Sequence, residues 1–281
     1  MNIKKLLPGV KRNVLLKNYT TFKIGGPAKY FYIAQNKTEL IGAIKKAKKI
    51  KLPFFVLGGG SNLLVSDEGF NGLVIKFGQP LSSYVSKGLE WAVGIPGTVQ
   101  GAVCGNAGAF KKSMKDVVES VEVFDTETGK VKIFKNKDCR FSYRNSIFRK
   151  KKNLIILSVR IKTKKVDELR SSSRFAIARV SNAKKIKQYL DYKKQTQPLN
   201  FPSAGSIFKN PKGFSAGELI EKCGLKGEKI GNVKISEKHG NFIVNLGRGK
   251  AKDVIKLIKL IKQKVKNKFK VNLEEEIQYL P

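Results

Sequence analysis

At 281 residues, 41% of them hydrophobic, the chain can bury a substantial core in two or three domains, which excludes wholesale disorder. A net charge of +36 would suit a nucleic-acid or membrane-surface protein, but the lysines are spread over the whole length. Runs such as Lys45-Lys46-Lys48-Lys49-Lys51 and Lys256-Lys259-Lys262-Lys264-Lys266 are spaced as solvated helix faces, and arginine, the residue of bidentate base contacts, is comparatively scarce. The charge reads as an ordinary enzyme surface whose field favours an anionic small-molecule substrate.

The amino terminus meets Pro8 before a signal-peptide core can form, and no apolar run approaches the length of a membrane span. Cys104, Cys139 and Cys223 make no CxxC pair, which argues against a zinc site and a disulfide framework. The expectation is a cytoplasmic protein without a metal.

In chain order, Tyr19–Ile24 and Tyr30–Ile33 read as a strand pair around Gly25-Gly26-Pro27. Thr38 caps a helix with Leu40, Ile41, Ile44 and Ala47 on one face, ended by Pro53. Phe54–Leu57 and Gly72–Lys76 read as strands. Val117–Asp125 and Lys130–Phe134 alternate as a hairpin, and Leu154–Ile161 reads as a further buried strand. Residues 163–185 have little periodicity and are expected to be a linker, followed by a short helix over Ile186–Lys194. Ser215-Ala216-Gly217-Glu218 is a capping box that opens a helix ending at Gly224. Asn241–Asn245 reads as a strand, Ala251–Val265 as a long amphipathic helix, and Val271–Leu280 as a closing strand. The class is α+β.

Two stretches expose backbone. Gly58-Gly59-Gly60-Ser61-Asn62 follows directly on an apolar strand. Glycines hold no side chain between a ligand and their N–H groups, which can close around an anion such as a pyrophosphate, with Ser61 and Asn62 as added donors. Alone, this loop would read as a flexible turn. The second stretch, Gly94-Ile95-Pro96-Gly97-Thr98 continuing through Gly101, Asn106 and Gly108 to Phe110, points to a long ligand with a phosphate at one part and a flat ring at another.

Other chemistries find little support. No G-x-G-x-x-G follows a strand and no G-x-x-x-x-G-K-[ST] is present, so Rossmann and P-loop readings fail. The single His239 cannot build a His-rich metal site and reads as structural, while Ser61, Ser146 and Ser206 lack a G-x-S-x-G elbow.

The segments TFKIGGPA (21–28), LGGGSNLLVSD (57–67), GLEWAVGIPGTVQGAVCGNAGAF (88–110) and FSYRNSIF (141–148) resemble the UDP-N-acetylenolpyruvoylglucosamine reductase (MurB) family. So do QPLNFPSAGSIFKNP (197–211), AGELIEKCGLKG (216–227), HGNFIVN (239–245) and LEEEI (273–277), in the family's order over nearly the whole chain. The resemblance implies a flavoprotein of peptidoglycan synthesis. Its non-covalent FAD would be reduced by NADPH and pass hydride to UDP-N-acetylglucosamine enolpyruvate, giving UDP-N-acetylmuramate. It also implies a non-Rossmann (PCMH/VAO-like) FAD-binding domain and a smaller α+β substrate-binding domain. The pyrophosphate would lie on Gly58 to Asn62 and the flavin near Gly94 to Gly108.

Hydride addition leaves negative charge beside the substrate carboxylate, which needs cationic or hydrogen-bonding groups and then a positioned acid. The family's arginine, serine and glutamate for these roles match Arg144, Ser206 and Glu276, with Glu274 the competitor for the last. Read without the family, Arg144 is a salt-bridge partner, Ser206 a turn residue and Glu274–Glu276 a solvated run. Lys209 and Asn210 match positions that approach the UDP substrate. Lys193 and Lys194 stand where family members carry arginines, a change that keeps charge but loses a bidentate grip.

Between Lys76 and Gly88 the chain lacks an extra strand, a glycine turn and most of a helix that the family usually carries. This departure is expected to expose core beside the Gly94 stretch and to weaken cofactor binding. Residues 1–52 with 271–281, and 53–162, would form the FAD-binding part, 163–195 a linker with a short helix, and 196–270 the substrate domain. That arrangement would bring Arg144, Ser206 and Glu276 around one flavin ring in a monomer that inserts in no membrane and binds no nucleic acid. The rival readings are an FAD oxidase of the same fold, a fold-retaining relative with weakened cofactor binding, and a basic nucleic-acid-binding protein.

Overall fold

The computed structural model describes residues 3–162 and 172–281. The chain divides into two compact units, Met1–Ile33 with Lys46–Lys76 and Lys194–Pro281, and Ala34–Lys45 with Phe77–Lys193. Residues 53–76 thus fall with the chain ends, whereas the sequence reading groups them with residues up to 162.

The first unit holds a four-stranded sheet in the order Lys11–Leu15, Pro27–Ile33, Phe70–Lys76, Phe54–Leu57, the last three strands parallel. Leu73, Val74 and Ile75 in its inner strand are fully buried, as a parallel strand covered on both faces requires. Lys76 is in register with both Ile33 and Leu57, so the carboxyl ends of these strands finish level where the Gly58 loop departs.

A second sheet in the same unit is antiparallel, in the order Ser203–Ser206, Phe242–Asn245, Val233–Ile235, Lys229–Ile230. The helix Ala251–Phe269 buries Val254, Leu257, Ile258, Ile261 and Val265, the spacing of one helix face, in a core with Ile207, Leu219 and Ile243. Its preceding residue, Lys250, offers no side-chain cap. Asp67 supplies one from far away in sequence: its carboxylate accepts the N–H groups of Ala251 and Lys252 at 2.8 and 3.1 Å.

Two expected strands change. Tyr19–Ile24 is not a strand; a 3-10 turn, Leu16–Tyr19, leads into an irregular run in which Lys23 lies at φ 55°. That left-handed residue breaks the alternation, yet Phe22 and Ile24 remain buried, and Asn245 Nδ2 donates to the carbonyls of Phe22 and Lys23 at 3.0 and 3.2 Å. The closing strand shortens to Gln278–Leu280, paired in parallel with Leu63–Val65.

In the second unit an antiparallel sheet runs Leu154–Ile161, Val118–Asp125, Val131–Lys135. The helix expected over Ile186–Lys194 begins earlier and spans Ser172–Thr196. Residues 172–185, read from sequence as linker, are therefore helical; their alanines, lysines and arginines favour a helix by propensity where no apolar stripe announces one. The rest of the expected linker, 163–171, lies outside the described residues.

The shortened segment does not leave core exposed. It folds as two 3-10 turns, Leu81–Lys87 and Glu90–Ala92, and Leu81, Leu89, Trp91 and Ala92 are buried with Val99, Val103 and Val118.

Candidate active site

The Gly58–Asn62 loop leaves the Phe54–Leu57 strand with Gly60 at φ 62°, where a Cβ would lie 2.3 Å from the Tyr19 carbonyl oxygen. Only glycine lets Tyr19 pass so closely, and Thr21 N–H donates back to Gly60 O at 3.2 Å. Among the described residues, the N–H groups of Gly59, Gly60 and Ser61 donate to no other group of the protein. Such a run of free amides suits an anion. Lys76 Nζ donates to the Gly58 carbonyl at 2.6 Å, and burial pulls its pKa below the ordinary lysine value. Asn62 is turned to a different task. Its Nδ2 donates to the Glu276 carbonyl at 3.0 Å, its own carbonyl accepts Gln278 N–H at 3.0 Å, and its Oδ1 is buried with no hydrogen-bond partner.

The same unit brings two more predicted residues close. Ser206 ends a strand whose pairing with Phe242–Asn245 shifts register at Ala204-Gly205, and Gly205 lies at φ 77°. This bulge, marked in sequence only by Ser-Ala-Gly-Ser, sets the direction of Ser206. One residue on, the Ile207 carbonyl accepts Glu276 N–H at 2.8 Å, and Lys209 N–H donates to the Glu274 carbonyl at 2.8 Å. Ser206, Glu276 and Asn62, from three separate segments, therefore share one neighbourhood.

The three glutamates differ in surroundings. Glu274 is 72% exposed at its side chain and pairs with Lys209, whose side chain is 14% exposed. Burial raises the Glu275 pKa, but hydrogen bonds from Lys262 and Tyr279 outweigh it and hold the carboxyl below its ordinary range. Glu276 is half-buried. Asn210 Oδ1 accepts the N–H of Ala216 at 3.0 Å, tying the turn ahead of the Ala216–Lys222 helix. Asn241, which the sequence reading passes over, grips Phe208 through both N–H and C=O at 2.9 and 2.8 Å and so fixes the backbone beside Ser206. His239 is structural: its Nδ1 accepts Asn241 N–H at 3.2 Å, its ring lies 4.8 Å from that of Phe242, and burial lowers its pKa.

In the second unit Thr98 Oγ1 accepts Gly101 N–H at 3.2 Å and opens the Val99–Gly105 helix, which Asn106 closes in the left-handed region. Asn106 then holds two other segments, donating to Ser142 O at 2.8 Å and accepting Lys115 N–H at 3.0 Å. Ser142 and Asn145 exchange two backbone hydrogen bonds around Arg144, which lies at φ 52°, and Ser146 Oγ donates to Cys104 O at 2.7 Å. Arg144 thus stands on a tight turn anchored to the glycine-rich stretch by Asn106 and Ser146. Gly108 is required by chain packing, because a Cβ there would meet the Lys112 carbonyl at 2.5 Å.

Gly94, at φ 68°, faces Leu190 and Lys193 of the long helix. Lys193 is 4% exposed, its Nζ donates to Val93 O at 2.6 Å, and burial lowers its pKa to about 8. Phe110 stacks on Tyr189 with ring centroids 3.9 Å apart. Lys194 is exposed, and its carbonyl accepts from Lys238 Nζ.

Among the described residues no cluster of His, Cys, Asp or Glu is arranged to hold a metal, and no helix is long and apolar enough to cross a membrane. Helices with parallel and antiparallel sheets, and in the first unit a glycine loop, a bulge-set serine and a neighbouring glutamate, define an α+β protein without a Rossmann fingerprint. Residues 197–280 match the family model for the UDP-N-acetylenolpyruvoylglucosamine reductase C-terminal domain. The UDP-N-acetylenolpyruvoylglucosamine reductase of Caldanaerobacter subterraneus subsp. tengcongensis is 40% identical over 95% of this chain and 92% of its own. That of Caldicellulosiruptor saccharolyticus is 42% identical over 94% of this chain and 90% of its own. The crystal structure of UDP-N-acetylenolpyruvylglucosamine reductase (MurB) from Thermus caldophilus, 35% identical, superposes with a TM-score of 0.78 over 97% of this chain and 99% of that one. The chain belongs to the UDP-N-acetylenolpyruvoylglucosamine reductase family, and it is an oxidoreductase.

Proposed function

We propose that the protein reduces UDP-N-acetylglucosamine enolpyruvate to UDP-N-acetylmuramate with NADPH, through non-covalently bound FAD, as a cytoplasmic monomer. The carrying observation is that Ser206 and Glu276 share one neighbourhood in a chain that aligns over 95% of its length with a named reductase. We further assign the chain a non-Rossmann FAD-binding domain of the PCMH/VAO type.

The free amides of Gly59, Gly60 and Ser61, with Lys76 behind them, fit a pyrophosphate in number and charge. The Gly94–Gly108 stretch is assigned to the flavin ring. FAD, once bound, supplies the hydride. The residues of this chain do the rest. Arg144 offers a permanent positive charge to the substrate carboxylate, where negative charge grows. Ser206 delivers a proton to the carbon next to that carboxylate, and Glu276 orients the acceptor and the proton path beside it. A serine hydroxyl is a weak acid, so it acts only with the developing carbanion within reach. Lys209, held by Glu274, and Asn210 and Lys194 are assigned to the UDP moiety. Lys193, turned inward onto Val93, is assigned to bracing the Gly94 stretch instead of touching substrate.

Product identity tests the reading. The protein, loaded with FAD, should convert the enolpyruvyl nucleotide and NADPH into a nucleotide carrying one more pair of hydrogens, seen by mass spectrometry. Recovery of unchanged enolpyruvyl nucleotide from flavin-loaded protein would contradict it.

A further inference from the structure

Lys76 carries an inference that rests on the reading of the Gly58 loop as a diphosphate site. It ends the inner strand of the parallel sheet, level with Leu57. From there its ammonium reaches the Gly58 carbonyl at 2.6 Å, while the side chain is half-buried and its pKa is lowered by burial. No carboxylate pairs with it among the described residues. A lysine drawn into partial burial without an acid, with two N–H donors beyond the one spent on Gly58, is costly to keep charged for packing alone. An aliphatic residue would end a buried strand at lower cost.

The geometry gives the lysine a task. Every peptide bond among the described residues is trans. In a trans peptide the N–H of residue 59 points opposite to the C=O of residue 58. Holding the Gly58 carbonyl toward Lys76 therefore turns the Gly59 N–H away from the lysine, in a loop whose next two amides, of Gly60 and Ser61, also have no acceptor in the protein among the described residues. Glycine has no conformational preference that would fix this peptide plane, so the plane needs an external hold. The second glycine stretch is held in the same manner, by Lys193 on the carbonyl just before Gly94.

We propose that Lys76 is a positioning residue for dinucleotide binding: it locks the Gly58–Gly59 peptide plane so that the loop amides face the diphosphate, and its charge adds to the attraction. The test is FAD uptake by apoprotein, followed by flavin fluorescence over a salt series, for wild type, Lys76→Met and Lys76→Arg, with inorganic pyrophosphate as competitor. The melting temperature of each apoprotein is measured alongside. Loss of a charge-assisted hold should raise the FAD Kd of Lys76→Met roughly tenfold. The same variant should flatten the salt dependence of Kd and blunt competition by pyrophosphate. Lys76→Arg, which keeps charge and donors, should recover most of the affinity. A Lys76→Met protein with wild-type Kd and salt slope overturns the proposal while leaving the enzymatic reading intact. An affinity loss that keeps the wild-type salt slope and tracks a lowered apoprotein melting temperature also overturns it, by making the lysine merely structural. A wild-type protein that takes up no FAD overturns both.

Discussion

The ammonium of Lys193 lies 2.6 Å from the carbonyl oxygen of Val93, one residue before Gly94, in a side chain only 4% exposed. Burial lowers its pKa to about 8. The folded protein therefore releases this proton at lower pH than the unfolded chain, and stability rises as pH climbs from about 8 toward the unfolded lysine value near 10.4. Lys193→Met removes the titrating group. The stability difference between variant and wild type should favour the variant more at pH 7 than at pH 10, by on the order of 2–3 kcal/mol. Thermal unfolding at the two values checks this, and a difference independent of pH would contradict it.

Asp125 also has a lowered pKa, so its stability contribution likewise rises with pH, but its charged form is the favoured one in the fold. Hydrogen bonds from Lys132 and then Asn153 hold its carboxyl well below the ordinary range. Its stabilising effect is complete above the unfolded aspartate value and is lost as pH falls through the lower folded value. Asp125→Asn should flatten the acid limb of stability against pH, measured by urea unfolding below neutrality. An unchanged acid limb would show that the network does not contribute.

Asp67 caps the Ala251–Phe269 helix across the first unit. Asp67→Ala should cost about 1–2 kcal/mol of stability, and Asp67→Asn should recover part of it. Urea midpoints decide; an alanine variant as stable as wild type would remove the capping role.

Ser206→Ala should keep reduction of bound flavin by NADPH and lose turnover of the enolpyruvyl substrate by roughly 10²- to 10⁴-fold. Rapid-mixing absorbance separates the two half-reactions, and undiminished turnover would end the assignment of Ser206 as proton donor.

Glu276 and Glu274 are distinguished by exposure and partner. Glu276→Gln should lower kcat by roughly 10²-fold or more, as loss of a group acting on the reacting atoms does. Glu274→Gln frees Lys209 and should act mainly on KM. Steady-state kinetics on both variants checks this, and a reversed pattern would move the role to Glu274.

The parts of this fold legible in sequence are those where one period dominates. The Leu154–Ile161 strand and the Ala251–Phe269 helix both read directly from their apolar spacing. Tyr19–Ile24 misleads because Phe22 and Ile24 are buried by long-range packing while Lys23 takes a left-handed turn. The long helix Ser172–Thr196 is hidden because it lacks an apolar stripe. The glycine stretches, Ser206 and Glu276 stand out by motif, but their supports do not. Lys76, Asp67, Asn241 and Asn245 act on residues far away in sequence, and nothing local distinguishes them from a strand end, a turn acid or a surface amide. Asn106 reads as a ligand residue in the motif, whereas both ends of its side chain hold other backbone segments.

The assigned reaction can be followed in one cuvette, through the anaerobic visible absorption spectrum of the purified protein with FAD. The flavin spectrum should bleach on adding NADPH and return on adding UDP-N-acetylglucosamine enolpyruvate. A protein that stays colourless in the presence of FAD, or a bleached flavin that the enolpyruvyl nucleotide does not reoxidise, would contradict it.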